Sequence, residues 1–209
     1  MVPGKLDLGF PTGLPTFALR QNPFMKKKIQ PWPVIETEKL GHLKLFDCEV
    51  QKVRNPYSGA LLDITLLTGN DSVNVVAVNS DDKAILINQY RFGIGAYIAE
   101  LPGGMVDDGE DHLQAAKREL MEETGYEATE WHYLGCVASN PVFMDSYVHH
   151  YLALNATPTG QQNLEPAEDI ELLEIPVDEL KEMLSRGKFL HPHTVSGVLR
   201  SLIQLNRLT

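Results

Sequence analysis

The chain has 209 residues, of which 43% are hydrophobic and 22% charged, and a formal net charge of −10. That length and composition suit one sizeable core, or one domain with a small appendage, of ordinary globular type. The acidic balance argues against nucleic acid or an anionic membrane as a partner, and no apolar run approaches spanning length.

Taken in chain order, residues 1–33 carry Pro3, Pro11, Pro15, Pro23, Pro31 and Pro33 with Gly4, Gly9 and Gly13. Regular structure is not expected there, and Met25–Lys28 reads as a solvated basic patch. The opening MVPGKLDLGF lacks a basic region followed by an apolar one, so no secretion leader is expected and the cytoplasm is the default. The texture changes from Gly41. Leu43, Leu45 and Phe46 lead into a strand over Cys48–Val53, a turn follows at Asn55–Gly59, and Leu61–Leu67 completes a hairpin. Val73–Val78 and Ala84–Gln89 are apolar and β-branched and read as core strands joined by a tight turn. A short strand ends at Ala99–Leu101, and Pro102-Gly103-Gly104 makes a turn. A helix is expected from Asp111, with Gln114 completing a capping box and Leu113, Ala116 and Leu120 forming the apolar stripe. Gly125 ends it. Trp131–Ala138, Val148–Leu154 and Ile170–Ile175 read as strands, and Val177–Arg186 as a helix stopped by Gly187. Val195, Val198, Leu199, Leu202 and Ile203 mark a last amphipathic helix. Cys48 and Cys136 show no metal-type spacing, and a disulfide is not expected. Mixed strands with helices outside them give an α/β layered fold.

The chemistry concentrates in Gly104–Tyr126, GMVDDGEDHLQAAKRELMEETGY. Glu119, Glu122 and Glu123 stand at i, i+3 and i+4, so on a helix three carboxylates crowd one side. Like charges so close destabilise an isolated helix, and a hard divalent cation with oxygen ligands is the natural offset. A solvated acidic helix held by Arg–Glu pairs is the bland alternative. The stretch resembles the Nudix signature, G-x5-E-x7-R-E-U-x-E-E-x-G-U, with U a bulky aliphatic residue. Gly104, Glu110, Arg118, Glu119, Leu120, Glu122, Glu123 and Gly125 match. Tyr126 departs from the aliphatic last position but can fill the same buried slot. A chance match is on the order of 10^-8 to 10^-9 per starting point.

The resemblance implies an α/β/α sandwich with a mixed sheet plus a small N-terminal β segment. It divides the chain into a proline-rich lead-in and β segment, 1–70, and a hydrolase domain, 71–209. It also implies an enzyme that uses Mg2+, with Mn2+ as an alternative ion. Glu119 and Glu123 are the primary metal ligands, Glu122 a further one, and a backbone carbonyl at Gly103-Gly104 another. Arg118 orients a glutamate, and Glu110 supports the set or caps the helix. Gln89-Tyr90-Arg91, Glu100–Gly104, Pro31–Val34, Val53–Pro56 with Gly59, and Asn140-Pro141 with His149, Tyr151, Leu152 and Ala153 resemble the branch acting on ADP-ribose and nucleoside diphosphate sugars. That branch implies a nucleotide-sugar substrate and a homodimer whose N-terminal β segments cross to the partner. Arg54, Arg91 and Glu100 are the candidate substrate contacts, with surface ion pairs the competing account of the two arginines. Glu168, in the acidic loop Glu165–Asp169, is the candidate general base, with Glu165 and Glu171 as alternatives. His149 and His150 point to opposite faces of a strand, and His149 reads as the buried, hydrogen-bonded one. His191 and His193 read as capping or surface residues. A pyrophosphatase for another nucleotide, such as a dinucleoside polyphosphate, coenzyme A or a damaged nucleotide, and a non-catalytic nucleotide sensor are the competing functions.

Overall fold

The apolar and β-branched runs that read as strands do form strands, and in a computed structural model of the chain they sort into two compact units. The structure describes residues 30–160, 162–164 and 169–208. The proline-rich lead-in up to residue 29, with its basic patch, and the Glu165–Glu168 loop lie outside the described residues.

One unit comprises residues up to Gly69 together with Asn140–Asp145. Its described part is an antiparallel sheet of β1 (Val34–Leu43), β2 (Phe46–Arg54) and β3 (Leu61–Thr68) in that order. The β2–β3 turn is closed by Asn55, whose side chain accepts the Tyr57 N–H at 2.8 Å and the Ser58 N–H at 3.1 Å. Gly59 adopts φ 75° there, which a side chain disfavours. The sequence reading did not anticipate β1. Every residue of it but Gly41 is exposed, so no alternation of apolar residues marks it, and its backbone pairing to β2 forms the strand. Among the unit's described residues Val53 is the one buried apolar side chain, while Trp32, Val34, Leu40, Leu43, Leu45, Leu61 and Ile64 are exposed.

The other unit comprises Asn70–Ser139 and Ser146–Thr209. Its seven-stranded mixed sheet has the order β10 (Ile170–Pro176), β5 (Lys83–Arg91), β4 (Ser72–Asn79), β9 (Tyr147–Pro158), β7 (Tyr126–Glu127). β6 (Ala96–Glu100) pairs with β5, and β8 (Glu130–Ala138) with β9. β4 and β9 run parallel and the other pairs antiparallel. The central strands are apolar on both faces because both are covered. Val73, Val75 and Ala77 pack with Ala115, Ala116 and Leu120 of α1 (His112–Thr124). Val76, Val78 and Leu152 pack with Val177 and Leu180 of α2 (Val177–Ser185) and Val198 and Leu202 of α3 (Pro192–Gln204). This is the α/β/α layering expected from the resemblance. Among the described residues no helix is long and apolar enough to cross a membrane.

One buried polar group is a surprise of the core. His150, not His149, is the fully enclosed histidine. Its Nδ1–H donates to Asn74 Oδ1 at 2.6 Å, and its Nε2 has no hydrogen-bond partner. Burial first, then the positive charge of Arg200 and neighbouring histidines, pushes its pKa down to about 3. The folded state therefore keeps the ring neutral while the unfolded chain protonates near the usual value of about 6.5. The stabilising share of this group is complete above that pH and is lost as pH falls toward 3, with a slope approaching about 1.4 kcal/mol per pH unit. Replacing it by His150→Gln is expected to cost stability at pH 8 and progressively less toward pH 4.5. Urea unfolding midpoints of both proteins across that range check this, and a pH-independent difference contradicts it.

Candidate active site

The site is built where the Pro102–Val106 segment runs along the edge of β4. Val75 N–H donates to Pro102 O and Val73 N–H to Gly104 O, both at 2.9 Å, and Val106 N–H to Asp71 O at 2.9 Å. The chain can lie this close only without side chains. A Cβ on Gly103 would stand 2.1 Å from Val73 O, and one on Gly104 2.5 Å from Glu119 Oε1. The second of these approaches lays the Glu119 carboxylate against the turn.

α1 then supplies the acids. Asp111 caps it by accepting the Leu113 N–H at 2.9 Å, and Gly125 closes it in the left-handed conformation, φ 68°, donating its N–H to Met121 O. Glu119 and Glu123 are buried although charged. Glu123 Oε2 accepts the Gly103 N–H at 2.6 Å. Arg118 gathers the others. Its Nη1 donates to Glu119 Oε1 at 2.7 Å and to Glu122 Oε2 at 3.2 Å. Its Nε and Nη2 take both oxygens of Glu110, at 3.1 and 2.9 Å, and Nη2 also reaches Met105 O at 3.0 Å. The hydrogen bonds that Arg118 donates to Glu110, and then to Glu119, raise its pKa further above its already high range. The Arg118 guanidinium in turn holds the Glu110 carboxyl below the usual carboxylate range. Glu110 thus braces the arginine, and the cap falls to Asp111. Among the described residues no three acid, histidine or cysteine side chains already surround one point. The acids are instead turned toward Arg118 and the Gly103 N–H.

The other sequence-predicted residues are placed as follows. Glu100, buried at the end of β6, receives a two-pronged hydrogen bond from Arg91, Nε to Oε1 at 2.7 Å and Nη2 to Oε2 at 2.8 Å. Arg54 ends β2 in the three-stranded unit and is exposed. Glu171, on β10, accepts from Asn88 Nδ2 at 3.0 Å. Glu165 and Glu168 lie outside the described residues. His191 holds the N-cap position of α3 but makes no side-chain cap bond; it is half-buried, 3.9 Å from Glu100 Oε2, and burial lowers its pKa.

Two features escaped the sequence reading. Asp71 accepts from His149 Nε2 at 3.0 Å and the Tyr147 N–H at 2.7 Å, and His149 Nδ1 pairs with Tyr133 Oη at 2.9 Å. Burial raises the Asp71 pKa, but these bonds outweigh it and leave the carboxyl below the usual range. His112, the first residue of α1, stacks on His149 with ring centroids 4.3 Å apart. The segment after β9 also reaches the other end of α1, where Asn163 N–H donates to Glu122 O at 2.8 Å. Asp71 and His149, His112 and His149, and Glu122 and Asn163 all stand more than thirty positions apart, so no local spacing signals them.

Four glutamates, two of them buried, are thus gathered by one arginine and a backbone N–H beside a glycine turn on a covered mixed sheet. The family model for the NUDIX domain matches residues 69–194. The chain is 30% identical over 171 residues to a methanol dehydrogenase activator of Bacillus methanolicus, covering 74% of this chain and 92% of that one. It is 31% identical over 154 residues to an ADP-ribose pyrophosphatase of Bacillus subtilis, covering 73% and 83%. A crystal structure of an ADP compounds hydrolase superposes with a TM-score of 0.76 at 25% identity, covering 87% of this chain and 99% of that one. The chain belongs to the Nudix family and is a Nudix pyrophosphohydrolase.

The close approach at Gly103 gives a direct test. Gly103→Ala forces a Cβ against backbone that has no rotamer to change, so a loss of about 2–4 kcal/mol is expected. Gly93→Ala, with nothing within 4 Å of its Cβ position, is expected to stay within about 0.5 kcal/mol of the parent. Chemical denaturation of the two variants side by side measures the difference.

Proposed function

We propose that this enzyme hydrolyses the pyrophosphate bond of ADP-ribose or a related nucleoside diphosphate sugar, giving a nucleoside monophosphate and a sugar phosphate. Mg2+ is the working ion, with Mn2+ as an alternative. The observation that carries this reading is the set of four glutamates held between Arg118 and the Gly103 N–H. The named activities of the relatives support the substrate class.

Glu119, Glu122 and Glu123 are hard oxygen donors of the kind such an ion takes. The carbonyls of Pro102 and Gly104 accept from β4, and the family resemblance assigns the Gly103 carbonyl as the backbone donor of the set. A divalent ion bound there would neutralise the diphosphate charge and make a water molecule more acidic. The chain's own residues do the rest. Arg118, braced by Glu110, fixes the direction of Glu119 and Glu122. Glu168 takes a proton from the attacking water, whose oxygen bonds to phosphorus as the bridging oxygen leaves with the other phosphate. Arg91, anchored on Glu100, and Arg54 contact phosphate or ribose.

The exposed apolar residues of the three-stranded sheet support a homodimer, with residues 1–70 as the dimerisation segment and 71–209 as the hydrolase domain. The −10 net charge supports a partner list without nucleic acid or membrane, and the two free cysteines fit a reducing, cytoplasmic location.

Hydrolysis of ADP-ribose followed by product chromatography tests the chemistry. Glu123→Gln nearly keeps shape but removes a charged oxygen, so kcat should drop by a factor of about 10^2 or more, with excess chelator abolishing turnover. Glu168→Gln should lower kcat more than it raises KM. Full turnover in chelator would defeat the proposal. The dimer is read separately by light scattering at micromolar concentration. A mass near twice 23.3 kDa is expected, shifting toward the monomer when Leu61→Lys and Ile64→Lys put charge on both exposed faces of β3. A parent protein of monomer mass refutes it.

A further inference from the structure

The C-terminal end of α1 is electrostatically awkward. A helix C-terminus carries partial negative charge on its unpaired carbonyls and is favoured by nearby cations. This one has no basic residue in its last turn, yet it carries Glu122 and Glu123 there. Its own glycine cap satisfies only Met121 O, through Gly125 N–H at 2.8 Å. The two carbonyls that belong to the acidic residues are met from elsewhere. The segment after β9 brings Asn163 N–H to Glu122 O at 2.8 Å and Gln162 Nε2 to Glu123 O at 2.6 Å. Thr159 anchors the same segment, its N–H and Oγ1 both donating to Gly125 O, at 2.6 and 2.8 Å. The clasp therefore covers the consecutive carbonyls of Glu122 and Glu123, and among the described residues Gln162 is its long side-chain donor.

We propose that Gln162 is a positioning residue for the metal-binding acids. Its amide N–H replaces the missing cation at the end of α1 and holds the last turn wound. Glu122 and Glu123 thereby keep their side chains beside Glu119 and the Gly103 turn. Helix ends fray unless their carbonyls find donors, and a frayed last turn would swing both acids together. Gln162 acts through the Glu123 backbone, so its effect is on metal affinity and on the geometry of the acid set. The proposal rests on the assignment of Glu119, Glu122 and Glu123 as ligands.

The test is Mn2+ titration of the metal-free protein, read by electron paramagnetic resonance, for the parent, Glu123→Gln, Gln162→Met and Gln162→Lys. Methionine keeps the length and removes the donor; lysine keeps a donor and adds the cation that the helix end favours. One net hydrogen bond corresponds to about fivefold in a binding constant. Gln162→Met is expected to weaken Mn2+ binding by about that factor and to lower kcat at saturating ion with little change in KM. Gln162→Lys should bind within about twofold of the parent. Unchanged Mn2+ affinity in Gln162→Met, with or without a lower melting temperature, overturns the inference by reducing Gln162 to an ordinary cap. So does a Gln162→Lys variant as weak as Gln162→Met. If Glu123→Gln weakens Mn2+ binding while Gln162→Met does not, the inference alone fails. If Glu123→Gln leaves binding untouched, the metal assignment itself fails and this inference falls with it.

Discussion

The guanidinium of Arg118 is the constraint on which the rest of the site depends. Three carboxylates within five residues of one helix repel one another, and Glu119 is buried besides. A planar fork with five donors can answer several acids at once, where a lysine would offer one point charge. Arg118 spends its donors on Glu110, Glu119, Glu122 and the Met105 carbonyl. The Met105 bond matters as much as the acids. It ties the helix to the segment paired with β4, so the carboxylates are referenced to the sheet rather than to a loop. Gly104 follows from the same demand, since any side chain there would occupy the space of the Glu119 carboxylate.

The layering explains how a short helix is held still enough for this. Ala115 and Ala116 are small, and both are fully buried against Val73, Val75 and Ala77. Small residues bring the α1 backbone close to the sheet, and Leu120 fills the remaining depth. One face of α1 is therefore fixed by packing and the other by Arg118. The helix start is caught by the stacked His112–His149 pair and the hydrogen bond between His112 Nδ1 and Tyr151 Oη. Its end is caught by Gly125 and the segment after β9. Elements more than thirty residues apart in sequence thus close on the same thirteen-residue helix.

What was legible in the sequence was local. The acids, Arg118, Asp111 and Gly125 lie within one run, so fixed spacing is enough to place them on one helix. The central strands were legible because burial on both faces makes Val73–Val78 and Ala84–Gln89 continuously apolar. β1 was not, because a strand with both faces exposed leaves no hydrophobic period. His149 and His150 were correctly split between faces, but which face was the more enclosed depends on α3. Gly197 brings that helix close enough that a Cβ there would stand 3.5 Å from His150 Nδ1 and 3.1 Å from Asn74 Oδ1. Such an approach between a helix and two strands has no signature in any one segment. The contacts of Gln162 and Asn163 with α1 were hidden for the same reason.

Arg118 and Arg91, both in the larger unit, stand under opposite constraints. Arg118 shares its charge among three acids, and Glu110 alone holds it by two bonds. Arg91 is different. Its partner Glu100 is 2% exposed and takes both prongs of the guanidinium. Removing Arg91 would leave that enclosed carboxylate uncompensated, although Arg91 itself is 40% exposed. The buried glutamate is a fixed rest that sets the angle of the arginine, so the two side chains act as a unit.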